Sequence, residues 1–375
     1  MRKIRAYLSI EKNQNKVIPF LSVILGFIIG AIVMIASGFN PIEAYSKLFQ
    51  GAGLYGDIRR LGETFVLATS LTLTGLAVAF GMRTGLFNIG ASGQLLMGGF
   101  VAVFIGITLD LPKIIHMPLA VTAAMLMGAL WGMIPGLLKA KFNVHEVVSS
   151  IMMNWIAVWT VYYFVPAYIK GRYDTESATI KSTASLRVPW LTDLFNGSSM
   201  NLGIFIAIFA AIAVWFILEK TTFGYELKAV GLNKEAAKYA GIHVNRNIVL
   251  SMMISGALAG LAGATFYLGY TNNVKIGELP TLGFDGIAVA LLGVNTPFGV
   301  VLSALLFGVM NAGKGFMQAA TKVPNELVQI IMAVIIFFAA ATLLIRKLIQ
   351  FTVRVKTVPT PVIETAQDSS DGGEK

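Results

Sequence analysis

The sequence predicts an all-α polytopic membrane protein with about ten transmembrane helices. Of its 375 residues, 56% are hydrophobic and only 13% are charged, and the mean hydropathy is +0.73. A soluble domain is nearer half apolar and a quarter charged. The apolar residues form blocks of about twenty, the length that a helix needs to cross roughly 30 Å of hydrocarbon. The alternating pattern of a membrane β-barrel is missing from these blocks, so helices are the expected spanning form.

Ten apolar blocks are the predicted spans. Their bounds are 17–38, 63–82, 87–109, 117–137, 147–169, 201–218, 247–270, 283–294, 297–312 and 324–345. The first block is longer than the roughly 7–15 apolar residues of a secretory signal, so it is predicted to be a retained span. The predicted organisation is an N-terminal arm (1–16), a transmembrane domain (17–345) and a tail (346–375) that is partly of disordered composition.

The distribution of basic residues predicts the orientation. If both termini lie in the cytoplasm, more of the 29 Lys and Arg residues lie on the cytoplasmic side than on the other side. Membrane proteins retain basic residues on the inner side, so a multi-pass protein of the cell membrane with N-in, C-in topology is favoured. The net charge of +10 is then a feature of topology, and no nucleic-acid partner is expected.

The composition also excludes several classes of chemistry. The chain has no cysteine, which excludes disulfides, thiolate metal sites and cysteine nucleophiles. Its three histidines are scattered, and neither HExxH nor GxSxG occurs in the sequence. We therefore expect neither a catalytic site nor a metal site.

Two segments outside the spans and two rows of glycines carry further expectations. Residues 41–50, PIEAYSKLFQ, begin with a helix-compatible proline and predict a short interfacial helix. Residues 170–200 are rich in Ser and Thr and are expected to be an exposed loop. Small residues spaced along a span let helix backbones approach closely. These rows are Gly128, Gly132 and Gly136, and Gly256, Gly260 and Gly263.

One stretch between two apolar blocks is unusually charged. Residues 224–242 read GYELKAVGLNKEAAKYAGI and lie on the cytoplasmic side in the predicted topology. Asn233 is a good N-cap, Glu235 and Lys238 suit the helix dipole, and Gly241 is placed to end the helix. Two turns are too short to be stable alone in water. Two interpretations are open: a helix that docks into a groove of another protein, or an ordinary polar loop.

The substrate pathway is predicted from two glycine-interrupted segments, 81–99 and 283–299, in opposite halves of the chain. Interrupted helices free backbone groups near the bilayer midplane. Polar side chains in spans are costly unless they are paired or face a cavity, and the aromatic side chains beside them could stack on a flat ring. The alternative is interhelical hydrogen bonding without ligand contact. The candidates are Phe87, Asn88, Ser92, Gln94, Asn154 and Trp155.

Three acidic residues lie at or near the ends of predicted spans. Asp285 is either interfacial and solvated, or buried and then a candidate proton or ligand site. Glu63 and Glu146 are expected to be solvated.

Residues 308–315, GVMNAGKG, fit the first part of a phosphate-binding loop. The motif needs Ser or Thr after the lysine, whereas this chain has Gly315 there. The segment also lies at the end of an apolar span, so the match is interpreted as chance. ATP hydrolysis is then expected on another chain.

Three motifs in order resemble the permease subunits of ATP-binding-cassette importers, in the branch that carries simple sugars, nucleosides and branched-chain amino acids. They are FNIGASGQ at 87–94, the charged stretch at 224–242 and GFDGIAVALLG at 283–293. The first and third are most similar to nucleoside and simple-sugar members. The resemblance spans about residues 17–345.

The resemblance implies that residues 219–246 form a coupling segment whose short helix docks on an ATPase subunit. A bulky side chain at Ala237 or Gly241 is expected to prevent docking. The implied contact residues are Glu226, Asn233, Glu235, Ala236, Ala237, Tyr239 and Gly241.

The resemblance also implies the cargo, the cofactors and the partners. The cargo is a small polar solute, a nucleoside or else a simple sugar, and no cofactor is expected in this chain. ATP and magnesium would lie on the ATPase, and a second permease chain and an extracellular solute-binding protein complete the expected partners. The alternative function is an ion-coupled secondary transporter that uses Asp285.

Overall fold

The computed structural model describes residues 11–341, with side chains from residue 17, and all the extended secondary structure in this part of the chain is helical. The predicted tail at 346–375 and the first ten residues of the predicted arm lie outside the described residues. The helices are α1 (Glu11–Ala36), α2 (Pro41–Gly51), α3 (Ile58–Arg83), α4 (Ala91–Thr108), α5 (Lys113–Phe142), α6 (Glu146–Tyr168), α7 (Pro189–Leu194), α8 (Gly203–Lys220), α9 (Thr222–Leu232), α10 (Lys234–Tyr239), α11 (Val244–Phe266), α12 (Leu282–Leu292), α13 (Pro297–Thr321) and α14 (Asn325–Ala340).

Each of the ten predicted spans coincides with one of these helices, which confirms the all-α polytopic class. Among the described residues, eight helices are long and apolar enough to cross a membrane. The other two, α12 and α14, are shorter apolar helices, so a count of ten crossings stays a prediction. The largest change in bounds is in α13, which continues to Thr321 rather than ending at residue 312.

Three helices form the centre of the molecule. In the most apolar part of α3, 83% of the residues are buried. The corresponding share is 72% in α4 and 67% in Val244–Thr271, which is α11 together with the five residues that follow it. By contrast, α1 and α5 are only 28% and 22% buried. The peripheral helices therefore present most of their apolar surface to lipid or to another chain.

The predicted glycine rows pack α5 against α11. A Cβ atom added at Gly256 would overlap the carbonyl oxygen of Gly128, and one added at Gly260 would overlap the carbonyl oxygen of Ala124. Gly263 lies equally close to the backbone of α4, at Leu95. The prediction of close backbone packing is confirmed, because only glycine leaves room for these contacts.

The predicted helix at 41–50 is present as α2. Asn40 caps it by accepting a hydrogen bond from the Ile42 amide at 3.0 Å, and Pro41 occupies the first turn. Its buried face packs on α13, where Leu48 and Gly51 lie against Gly313. Its interfacial position stays a prediction.

The segment 170–200 corrects the expectation of an exposed loop. Its backbone donates to carbonyl groups that follow α11: Ser177 N to Val274 O at 2.8 Å and Leu186 N to Leu268 O at 3.1 Å. Leu186 is only 1% exposed. The segment therefore packs over the end of α11, because its apolar residues and backbone amides contact residues that are distant in the sequence.

Two carboxylates expected to be solvated have partners within the chain. Glu63 Oε1 accepts a hydrogen bond from the Ser199 amide at 2.7 Å. Glu146 lies 3.0 Å from Lys139 Nζ, and its side chain is 12% exposed. The expectation for Glu146 was wrong because its partner comes from α5, whereas the solvation of Glu63, which is partly exposed, stays a prediction.

The stretch GVMNAGKG lies wholly within α13. Gly313 packs on Leu48, and Lys314 Nζ donates to Asn311 Oδ1 at 2.8 Å. No loop is formed here by these residues, so the chance interpretation of the phosphate-binding pattern is confirmed.

Candidate functional site

A buried polar network surrounds the turn that leads into α4. Asn88 Nδ2 donates to Gln94 Oε1 at 2.8 Å and to Ser255 Oγ of α11 at 2.7 Å. Asn88 Oδ1 accepts from the Gly90 amide at 2.9 Å. Asn88 and Gln94 are 0% and 1% exposed. The turn is therefore fixed to α4 and α11 by side-chain hydrogen bonds.

Asn154 of α6 clamps the same turn from the other side. Its Oδ1 accepts from the Gly93 amide at 2.8 Å, and its Nδ2 donates to the Ile89 carbonyl at 3.1 Å. The first amides of a helix lack intrahelical partners, so this contact satisfies a donor that would otherwise be buried alone. Asn88, Gln94 and Asn154 thus make the interhelical hydrogen bonds of the alternative interpretation, and their contact with solute stays a prediction.

Ser92 differs from these amides. It is 0% exposed, and its Oγ has no hydrogen-bond partner among the described residues. It lies against Gly283 of α12, where a Cβ atom would overlap Ser92. A buried hydroxyl without a partner is unusual. Among the pathway candidates, Ser92 is therefore the one whose burial is least explained by hydrogen bonds within the chain.

Asp285 lies in the first turn of α12, one helical turn after Thr281, and is partly exposed. A carboxylate in the first turn is favoured by the helix dipole. Asp285 is neither fully exposed nor fully buried, and its role in the pathway stays a prediction.

The two aromatic candidates are not brought together. Phe87 is partly buried in the turn before Asn88, whereas Trp155 is 54% exposed on the outer side of α6. Adjacent residues of a helix point about 100° apart, so Asn154 faces inward and Trp155 outward. Within this chain, Trp155 cannot stack on a ring bound near Asn88.

A cavity missed by the sequence analysis lies where α11 continues into a π-helical turn, Tyr267–Thr271. Its volume is about 270 Å³. Phe266 and Tyr267 provide an aromatic wall with ring centroids 5.1 Å apart, while Asn273 and Glu278 add polar groups. A short π-helical insertion is frequent at functional sites, but it leaves no simple sequence pattern.

The cavity adjoins the predicted pathway segments. Leu282 lines it, and the next residue, Gly283, contacts Ser92. The sequence does contain one signal for this cavity: residues 271–281, directly after an apolar span, carry several amide and charged side chains. The cavity and Ser92 therefore contact consecutive residues of α12.

The charged stretch at 224–242 forms α9 and α10. Asn233 Oδ1 accepts from the Ala236 amide at 3.0 Å and caps α10, as predicted. Gly241 has φ +80° directly after the last turn, and the Ile242 amide donates to Ala237 O at 3.0 Å. This left-handed end favours glycine. The predicted bounds of the short helix are confirmed.

The two faces of α10 differ in exposure. Ala237 is 3% exposed and packs with Leu86, Val230 and Met252, so its side chain cannot be the predicted docking contact. We correct that assignment: a bulky residue at Ala237 would first disrupt the attachment of α10. Glu235 and Ala236 are exposed, and Tyr239 is 93% exposed.

The coupling segment is tied to the central helices at two further points. Glu226 Oε2 accepts from Asn247 Nδ2 of α11 at 2.8 Å, which gives this predicted contact residue an intramolecular partner. Gly231 lies against the backbone that ends α3, where an added Cβ would be 2.5 Å from Arg83 O. Through α9, the helix that precedes α10, the segment is therefore in contact with both α3 and α11.

Comparison with known proteins gives a consistent picture. Residues 60–340 match the family described as branched-chain amino acid transport system / permease component. The chain is 46% identical over 338 residues to the guanosine ABC transporter permease protein NupP of Bacillus subtilis, covering 90% of this chain and 96% of the relative. It is 38% identical over 372 residues to the nucleoside ABC transporter permease protein NupB of Lactococcus lactis, covering 97% and 99%.

A relative with a different cargo is the glucose ABC transporter permease protein TsgB13 of Haloferax volcanii, 31% identical over 85% of this chain and 86% of the relative. The same Bacillus and Lactococcus strains also have second permease proteins, NupQ and NupC, which are 31% and 27% identical to this chain.

Proposed function

The chain belongs to the family of branched-chain amino acid transport system / permease components, and from this membership we propose that it imports nucleosides as one subunit of an ATP-binding-cassette transporter. The permease is the transport subunit of such a system and is not itself an enzyme. ATP and magnesium would be held by separate ATPase subunits.

The relatives support a nucleoside as the cargo. The relatives at 46% and 38% identity are described as guanosine and nucleoside permeases, whereas the glucose permease is 31% identical. The cavity beside the π-helical turn suits this chemistry. The Phe266 and Tyr267 rings lie at 80° to each other, so the more exposed one, Phe266, can stack on a flat base, and Asn273 and Glu278 can bond its polar edge.

Coupling to the ATPase is best supported by the two-faced structure of α10. Its inner face is anchored through Ala237, whereas Tyr239 at 93% exposure has no packing role in the described chain. A six-residue helix with an exposed aromatic residue and charged flanks suits insertion into a groove of a partner. Glu235, Ala236 and Tyr239 are the proposed contacts, while Asn233, Gly241 and Glu226 hold the helix in place.

Movement of α10 would reach the pathway through the contacts already described. Glu226 and Ala237 connect the segment to α11, and Gly231 connects it to α3. Ser255 of α11 in turn bonds Asn88. ATPase closure would therefore shift α3 and α11 together and change access to the region around Ser92.

The proposed orientation places both termini and α10 in the cytoplasm of a cell-membrane protein. The paired relatives in two bacteria support a second, homologous permease subunit. An extracellular solute-binding protein would then deliver the cargo to the side of the π-helical turn.

The ion-coupled alternative is not favoured. The relatives are permeases of ATP-binding-cassette transporters, which do not use an ion gradient as their energy source. The ion-coupled alternative also gives no use to the exposed face of α10.

Uptake measurements test the proposal. Cells lacking the chain and cells with it restored would be given labelled guanosine, uridine, glucose and leucine. We expect restoration of nucleoside uptake that persists with a protonophore while ATP is maintained, and that stops when ATP is depleted. Restored glucose uptake alone would overturn the nucleoside assignment, and uptake abolished by the protonophore at constant ATP would overturn the energy source.

A further inference from the structure

Two adjoining cavities lie where the end of α5 meets the start of α11. The larger has a volume of about 870 Å³ and the smaller about 350 Å³. They share four lining residues: Ala140, Lys141, Asn245 and Arg246. From their arrangement we infer that together they bind an anionic phospholipid, with the headgroup in the larger cavity and an acyl chain in the smaller one.

The larger cavity is strongly basic. Lys139 is paired with Glu146 at 3.0 Å, and Glu235 is the acidic residue in the lining. Among the described residues, four further basic side chains of the lining form no ion pair within 4.0 Å. They are Lys141, Lys234, Lys238 and Arg246. A phosphate group would accept charge-assisted hydrogen bonds from such side chains.

The smaller cavity is apolar apart from the residues that it shares with the larger one. Leu137, Val249 and Leu250 complete its lining. It leads away from the basic residues along the two helices, α5 and α11, which are both long and apolar enough to cross a membrane.

Sequence spacing fixes the relative depth of the two cavities. Leu137 precedes Lys141 by four residues, and Leu250 follows Arg246 by four. Residues four apart share a helix face, about 6 Å apart along the axis. On both helices the apolar lining is therefore one turn deeper than the basic lining, as the acyl chain of a lipid is deeper than its phosphate. Basic pockets between helix ends are a known form of headgroup site.

The test measures lipid retention by the full-length chain. The protein would be reconstituted in vesicles of equal parts dioleoyl phosphatidylglycerol and dioleoyl phosphatidylcholine, extracted in neutral detergent, and examined by native mass spectrometry. We expect preferential retention of phosphatidylglycerol. Lys141→Gln with Arg246→Gln should lower it roughly twenty-five-fold, at about a factor of five for each charge.

Matched controls separate this site from general charge effects. Lys275→Gln with Lys322→Gln removes two exposed charges elsewhere and should leave retention unchanged. Equal retention by the two double variants would overturn the proposal. If the Lys141/Arg246 variant keeps its lipid but loses a co-purifying protein subunit, the cleft is a protein-docking surface, which also overturns it.

A second pair of variants tests the acyl groove. Val249→Trp fills the smaller cavity and should release phosphatidylglycerol, whereas Leu302→Trp, on a surface position that is 67% exposed in α13, should not. Soluble glycerophosphoglycerol and inorganic phosphate should fail to compete. Retention unaffected by Val249→Trp, or competition by either soluble anion, would show that no acyl chain is involved and would contradict the inference. Thermal unfolding of each variant confirms that it is folded, and none of these measurements depends on transport.

Discussion

The buried turn at 87–94 and the short helix α10 are both rich in polar groups, but these groups are buried in the first region and exposed in the second. Asn88 and Gln94 of the turn, and Asn154 of the neighbouring α6, are almost fully buried. Their side chains form hydrogen bonds that connect the turn to the surrounding helices. At α10, Glu235 and Tyr239 are exposed, and the one fully buried side chain is the small Ala237. Polar residues in the first region hold the helices together, whereas those in the second are free for a partner.

The largest effect is expected from the packing that supports both regions. Gly256→Leu places a side chain into the backbone of Gly128, so α5 and α11 cannot remain in contact. We expect loss of folded protein in the membrane, measured by size-exclusion chromatography after extraction. Gly315→Ala is the control, because a Cβ there would meet no described atom within 4 Å outside the local backbone of its own helix. Normal folding of Gly256→Leu would contradict the central packing.

The next prediction separates the two faces of α10. Ala236→Trp adds bulk on the exposed face and should lower nucleoside uptake by at least about tenfold, with the thermal stability unchanged. Ala237→Trp adds the same bulk against Leu86 and Met252 and should lower both uptake and stability. Uptake and thermal unfolding would be measured for both variants. Identical behaviour of the pair would remove the distinction between a docking face and an anchoring face.

A smaller effect is expected at the buried turn. Asn88→Ala removes the partner of Gln94, Ser255 and the Gly90 amide. Leaving a buried polar group without a partner costs about 1–3 kcal/mol, so the free energy of unfolding should fall by about that amount. Thermal unfolding of the purified variant in detergent provides the measurement. Unchanged stability combined with lost nucleoside binding would instead identify Asn88 as a solute contact.

Much of the architecture could be predicted because it depends on local sequence. The apolar blocks set the helices, and Asn233 and Gly241 set the ends of α10 through their own capping chemistry. The glycine rows indicated close packing because glycine on one face of a span has few other uses. The family motifs predicted that this chain is the transport subunit and that ATP is hydrolysed by a separate ATPase subunit.

The remaining features depend on contacts between distant segments. The sequence of a six-residue helix does not indicate which side faces inward, so it does not distinguish Ala236 from Ala237. The distinction comes from the cluster that Ala237 forms with Leu86 in the folded chain. Glu63 finds its partner at Ser199, far along the chain. The π-helical turn after α11 and its cavity likewise arise from tertiary packing.

The central claim is that the exposed face of α10 lies in the cytoplasm and binds the ATPase. The chain has no cysteine, so Tyr239→Cys introduces a unique thiol. The most direct measurement is its labelling by a membrane-impermeant maleimide in intact cells and in inverted vesicles, with and without the ATPase subunits. We predict protection in intact cells, labelling in inverted vesicles, and loss of that labelling when the ATPase is present. Labelling from outside the cell, or labelling of inverted vesicles that the ATPase does not change, would contradict the account.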